Sequence, residues 1–186
     1  MTTNLSLAEL RLDYARKREI AVPIAGAICW AVAGVFGAVL PVSSASIAMF
    51  ICVGMIFPLS LLVGRVVHEN VMARDELSDL LFKSIMAASL FWAVVIPFYI
   101  VDRSSVPLTL GIIFGVPWMI LGWIIRHWIG SFHAIARTVL VVVAWFLFPE
   151  DRFVAILGII VVIYLISIFV LATRTIGEPS QGIGNK

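Results

Sequence analysis

Six stretches of this chain are each long and apolar enough to cross a bilayer, which takes about 20 mainly apolar residues at roughly 1.5 Å of rise apiece. They cover residues 20–40, 45–67, 80–101, 107–125, 131–148 and 153–173. The strands of a closed barrel would instead show short segments of alternating polarity. Residues 154–163 read Val-Ala-Ile-Leu-Gly-Ile-Ile-Val-Val-Ile, apolar on every side. The expected fold is therefore all-α, an integral membrane bundle of six transmembrane helices. Composition agrees, since 62% hydrophobic and 13% charged residues with a mean hydropathy of +1.10 lie far from the balance of a water-soluble domain. A formal charge of +2 gives no reason to expect a nucleic-acid partner. The partner to expect is the lipid bilayer, with a second copy or another membrane protein as a further one.

Basic residues mark the orientation, because cytoplasmic loops carry the excess of Lys and Arg. Arg11, Arg16, Lys17 and Arg18 precede the first stretch, Arg65, Arg74 and Lys83 fall around the second connection, and Arg126 and Arg137 around the fourth. Arg174 and Lys186 close the chain, while the other side holds only Arg103 and Arg152. Both termini are expected in the cytoplasm of a cell that carries the protein in its inner or plasma membrane. Short outer loops around Pro41, Asp102 and Glu150 leave no room for a folded receptor domain. The first stretch exceeds the core of about 7–15 residues found in signal peptides, so it reads as an uncleaved anchor.

Residues 1–19 form an amphipathic cytoplasmic segment, 20–173 the transmembrane domain, and 174–186 a flexible cytoplasmic tail. Ser6-Leu7-Ala8-Glu9 spells a capping box. Leu7, Leu10 and Tyr14 share a helical face behind it, as expected of a helix in the cytoplasmic leaflet. The tail Gly-Glu-Pro-Ser-Gln-Gly, residues 177–182, is polar and rich in helix breakers.

The interior shows an echo. Gly54-Met55-Ile56-Phe57-Pro58 resembles Gly111-Ile112-Ile113-Phe114 with Pro117, and Gly64, Arg65 and His68 resemble Gly122, Arg126 and His127. Trp-Ala-Val occurs at 30–32 and again at 92–94, and Leu157-Gly158-Ile159-Ile160 matches Leu110-Gly111-Ile112-Ile113. Three tandem helical hairpins are the corresponding expectation. Pro58 and Pro117 have no N–H for the carbonyls of Gly54 and Ile113, so both helices should bend, with Ser60 or Thr109 near enough to satisfy a freed carbonyl. Gly/Pro interruptions at matching places in repeated units point towards transporter binding sites.

One basic constellation stands apart. Arg126 and His127 end the fourth stretch, and His133 and Arg137 lie one turn apart on the fifth. Between Arg137 and Phe148 lie too few residues to cross the roughly 30 Å hydrocarbon core. Arg137 therefore either snorkels, pairs with Asp75, Glu76 or Asp79, or helps Arg126, His127 and His133 form a site for an anion or a lipid headgroup.

Catalytic signatures are absent. No Gly-x-Ser-x-Gly elbow, His-Glu-x-x-His pair or phosphate-cradling Gly-x-x-x-x-Gly-Lys loop occurs, and Cys29 and Cys52 lack metal-ligand spacing. No acidic residue lies deep in any stretch. An enzyme is not expected, nor any metal or cofactor. Residues Ala8-Glu9-Leu10-Arg11-Leu12-Asp13-Tyr14, Phe57-Pro58-Leu59-Ser60 and the run 106–115 with Gly122-Trp123 resemble a family of multi-pass bacterial membrane proteins of unknown function. The resemblance implies an all-helical membrane fold in a bacterial cell membrane and carries over no site residues. A small-solute or ion permease or channel is the leading functional expectation, and a non-transporting scaffold or accessory subunit the alternative.

Overall fold

Apolar sequence becomes helix nearly throughout this computed structural model, which describes residues 6–16, 19–73 and 75–174. Lys17, Arg18, Arg74, Lys186 and all of the expected tail beyond Arg174 lie outside the described residues. The helices are α1 (Leu7–Arg16), α2 (Ala21–Val39), α3 (Val42–Gly54), α4 (Ile56–Val67), α5 (Glu76–Ser89) and α6 (Trp92–Val101). A 3-10 turn, Arg103–Ser105, leads into α7 (Val106–Ile113), α8 (Val116–Ile125), α9 (Trp128–Leu147) and α10 (Arg152–Thr173). The described residues contain no strand.

Five helical segments are long and apolar enough to cross a membrane: α2, α5 with α6, the run from the 3-10 turn through α8, α9 and α10. A sixth is formed by α3 and α4 together, bent by 46° at their junction. The outward surface is as apolar as the interior, with Val101 88% exposed and Val66 and Leu90 77%. In water such a continuous belt would drive association. In hydrocarbon it is the ordinary exterior of a helical bundle.

α5 and α9 begin earlier than their apolar stretches, where polar side chains cap them. Asp75 Oδ1 accepts from the Ser78 N–H at 2.7 Å and starts α5 at Glu76 rather than near residue 80. His127 Nδ1 accepts from the Ile129 N–H at 3.2 Å and starts α9 at Trp128 rather than at 131. Capping serves backbone donors that hydropathy does not register.

α2, α7, α9 and α10 make the centre of the bundle, with α2 lying chiefly along α10 and α9 against both α8 and α10. The α5–α6 segment is peripheral: only 11% of it is buried, against 39–44% for the other four unbent segments. At one end Arg152 joins two connections, donating to Ser104 Oγ at 2.8 Å and lying 3.7 Å from Asp102. Ser46 at the start of α3 donates to the Arg103 carbonyl there at 2.9 Å. At the opposite end Glu69 Oε2 accepts from the N–H groups of Ile20 and Ala21, both at 3.0 Å. The connections thus gather alternately at the two ends.

α1 opens with the expected capping box: the Ser6 N–H donates to Glu9 Oε2 at 2.7 Å and the Glu9 N–H to Ser6 Oγ at 3.3 Å. The helix docks on α8 and α5, with Tyr14 only 2% exposed and the Arg11 guanidinium 3.8 Å from the Trp123 ring centre. Burial, with Glu19 and Asp75 nearby, holds the Tyr14 phenol above its usual range and hence protonated.

Candidate functional site

The fourth long segment is interrupted at Phe114–Gly115, between α7 and α8. Pro117, in the first turn of α8, cannot donate to Ile113. The turn ahead of it tightens, and the Gly115 N–H bonds the Ile112 carbonyl at 2.9 Å instead of reaching back to Gly111. The Gly111 carbonyl is left without its helical donor, deep in a segment where water is scarce. Arg137 Nε supplies the missing hydrogen bond. A guanidinium at the C-terminal end of α7 also meets the negative end of that helix's dipole.

Arg137 stands near the middle of α9 and is fully buried, as is His133 one turn earlier. Snorkelling is therefore not its arrangement, and Asp75, expected as one possible ion-pair partner, caps α5 instead. Nη1 of Arg137 lies 3.5 Å from His133 Nε2, and His133 Nδ1 lies 2.8 Å from Ser167 Oγ. Ser167 spends its own proton on the Ile163 carbonyl at 2.8 Å. His133 Nδ1 must then be the donor to Ser167, which leaves Nε2 as an acceptor facing Arg137. One neutral tautomer accounts for all of these contacts.

Aromatic rings close around the pair. Trp118 stacks on His133 with ring centres 3.7 Å apart and planes 5° from parallel, and Tyr164 meets His133 edge-on at 4.7 Å. The guanidinium carbon of Arg137 is 4.6 Å from the Trp30 ring centre and 5.5 Å from that of Tyr164. Burying an Arg at mid-membrane costs about 2.5–3.5 kcal/mol on insertion scales. A charge-assisted hydrogen bond of about 1.5–3 kcal/mol and a desolvated cation–π contact of about 2 kcal/mol offset that cost. The fold tolerates the cation without an internal carboxylate. Two of the buried donors in this cluster, Arg137 Nη2 and Trp30 Nε1, nevertheless have no hydrogen-bond partner among the described residues.

Of the four basic residues singled out in the sequence, the fold brings together only His133 and Arg137. Arg126 is the left-handed C-cap of α8, with φ of 50°, and His127 is the N-cap of α9. From His127 to Arg137 is ten residues, about 15 Å along a helix. Of the echo, Gly64 and Gly122 do hold matching places, but the residues that match beyond them are the C-caps His68 and Arg126 rather than Arg65 with Arg126 and His68 with His127. In each case the Gly carbonyl accepts the N–H of the C-cap residue four positions on, and the returning chain crosses close above the glycine. A Cβ on Gly64 would come within 2.7 Å of the Glu69 carbonyl oxygen, and one on Gly122 within 2.9 Å of Gly130 Cα.

Both prolines follow helix interruptions, but their surroundings differ. Pro58 is exposed in the first turn of α4, just after the 46° bend, whereas Pro117 is half-buried. Ser60 and Thr109 do not take the carbonyls expected of them, since Ser60 donates to Phe57 and Thr109 to Ser105 and Val106. The third member of the echo differs, as Gly158 lies within the unbroken α10. A shallow apolar groove of about 430 Å³ runs along Ser131, Phe132, Ile135, Ala136, Val139 and Leu140 on α9. Cys29 and Cys52 are buried free thiols.

Trp30, Trp118, Tyr164, Ser167 and the Gly111 carbonyl escaped the sequence analysis as site components. The pair Tyr164 and Ser167, three residues apart in an otherwise apolar run, was a legible signal, because they share a helical face. The Gly111 carbonyl was not, since backbone groups carry no side-chain signature.

The residues described here fall almost wholly within one family model. No curated protein and no solved structure matches the chain. The model of a family of unknown function, DUF7010, matches residues 7–174, and the chain belongs to that family.

Proposed function

We propose that the protein is a non-enzymatic, multi-pass permease or channel of the cell membrane for small solutes or ions, with both termini cytoplasmic. The observation that carries this reading is the buried Arg137 side chain, placed at mid-segment against an interrupted neighbouring helix. Ionisable groups inside membranes mark solute pathways more often than packing. Discontinuous helices with freed carbonyls are how transporters present polar groups at the bilayer midplane. The orientation rests on the basic residues gathered at alternate connections.

The test is flux into liposomes reconstituted with the purified protein, across a panel of small anions, cations and neutral solutes. At least one solute should enter faster than in protein-free vesicles. Arg137→Gln should reduce that flux at least about tenfold, the loss expected when a charged contact is removed from a buried pathway. Arg126→Gly, which suits the left-handed cap and removes a cation far from the centre, should leave it intact. No flux of any solute through correctly folded protein would overturn the reading.

A scaffold or accessory-subunit role has one specific observation in its favour. The α5–α6 segment, with only 11% of its length buried, leaves most of its surface free for another membrane helix. Purification in mild detergent distinguishes the two. A stable larger complex that needs α5–α6, together with absent flux, supports the scaffold.

A further inference from the structure

The surplus polar capacity at the centre of the bundle is of one kind. Arg137 uses Nε on the Gly111 carbonyl and directs Nη1 towards His133 Nε2, while Nη2 is left unbonded. Trp30 Nε1, the second unbonded donor, belongs to the ring over which the guanidinium lies. Of the acceptors beside them, His133 Nε2 faces Arg137, Ser167 Oγ takes the His133 proton, and the Tyr164 hydroxyl stands next to the guanidinium without bonding Nη2. A ligand held by Nη2 and Trp30 Nε1 must accept hydrogen bonds.

Charge points the same way. The acidic residues with described surroundings, Glu9, Glu69, Asp75, Asp102 and Asp151 among them, lie at the ends of helices or in connections, and Arg137 forms no ion pair with any described residue. Arg126 and His127 lie about 15 Å away along the helix, so the centre holds a single positive charge. The enclosing walls are Trp30, Trp118 and Tyr164, and Arg137 itself is fully buried. Such a place takes a ligand of few atoms and one negative charge.

We propose that the bundle centre binds a small monovalent anion, of the size of chloride or nitrate, through Arg137 Nη2 and Trp30 Nε1. This deepens the permease reading and rests on it for its purpose, while the binding itself is chemistry that a non-transporting protein could also perform. The Gly111 carbonyl competes with the anion for the guanidinium. When the anion draws Arg137 away, the Gly115 N–H is close enough in sequence to reclaim that carbonyl in an ordinary helical bond, coupling occupancy to the shape of the α7–α8 break.

The experiment is titration of nitrate or chloride into the full-length protein, purified in detergent with gluconate as the counter-ion and at constant ionic strength. Thermal unfolding and intrinsic tryptophan fluorescence report binding. Wild-type protein should show a saturable rise in melting temperature that gluconate does not reproduce. Arg137→Gln should abolish it. Should that variant fail to fold, Trp30→Phe keeps the ring and removes only the N–H donor, and should weaken affinity about five- to tenfold, as expected for one lost hydrogen bond to a charged ligand. Equal responses in wild type, Arg137→Gln and Trp30→Phe, or no saturable response in the wild type, would overturn the proposal and leave a water molecule as the satisfier of these donors. Anion binding without flux removes the permease reading alone, and flux of neutral or cationic solutes without anion binding removes this inference alone.

Discussion

At the scale of single residues, glycine decides how close the helices come. A Cβ on Gly130 would lie 2.3 Å from the Trp118 carbonyl oxygen and 2.4 Å from Gly122 Cα, both backbone atoms that cannot rotate away. Gly130→Ala should therefore part α8 from α9 and destabilise the protein by about 2 kcal/mol or more. Gly158→Ala, with nothing within 4 Å, should hold or raise stability by up to about 1 kcal/mol. Thermal unfolding of the two variants in one detergent checks the contrast. His127 supplies a pH dependence. Burial, reinforced by Arg174, lowers its proton affinity below the ordinary value of 6.5, and its neutral Nδ1 caps α9. The unfolded chain then binds the proton more readily than the folded one, so stability is full above about pH 6.5 and falls as pH drops through the lowered folded value. His127→Asn, which offers a cap oxygen without titrating there, should flatten the stability profile below pH 6.5.

Among the elements, helix ends are served by residues distant in sequence. Glu69, in the connection after α4, accepts from the first N–H groups of α2, and its charge faces the positive end of that helix. Glu69→Ala should cost about 1–3 kcal/mol by leaving these donors unpaired, whereas Glu69→Gln, which keeps an acceptor, should cost less. Hydrogen exchange at Ile20 and Ala21 should rise more in the alanine variant than elsewhere in α2. Unchanged exchange there would mean that solvent serves these donors equally well. The broken α7–α8 pair follows the same rule from the other end: its freed Gly111 carbonyl is served by Arg137 of α9.

For the whole molecule, the alternate gathering of connections makes topology testable. Ser6, just ahead of α1, and Glu150, in the connection between α9 and α10, lie at opposite ends and are exposed. In intact cells a membrane-impermeant thiol reagent should label Glu150→Cys but reach Ser6→Cys only after permeabilisation. The native Cys29 and Cys52 are buried and should give little background. Labelling of both positions from outside would overturn the arrangement with an even number of crossings.

The sequence by itself determined the all-helical class and the five or six apolar segments, because apolar length is a one-dimensional property that the bilayer reads directly. It also determined the capping box of α1, since Ser6 and Glu9 lie within one turn and need nothing else to meet. It placed His133 beside Arg137 for the same local reason. Tertiary structure alone decided what that pair faces. Trp30, Gly111, Trp118 and Tyr164 come from four other helices, and no spacing along the chain relates them to α9. The separation of Arg126 and His127 from Arg137 was likewise decided in space, by a tight turn that commits the first two to ending one helix and starting the next. Local chemistry travels with the sequence, whereas the convergence of five helices on the buried His133–Arg137 pair is settled by how their faces pack.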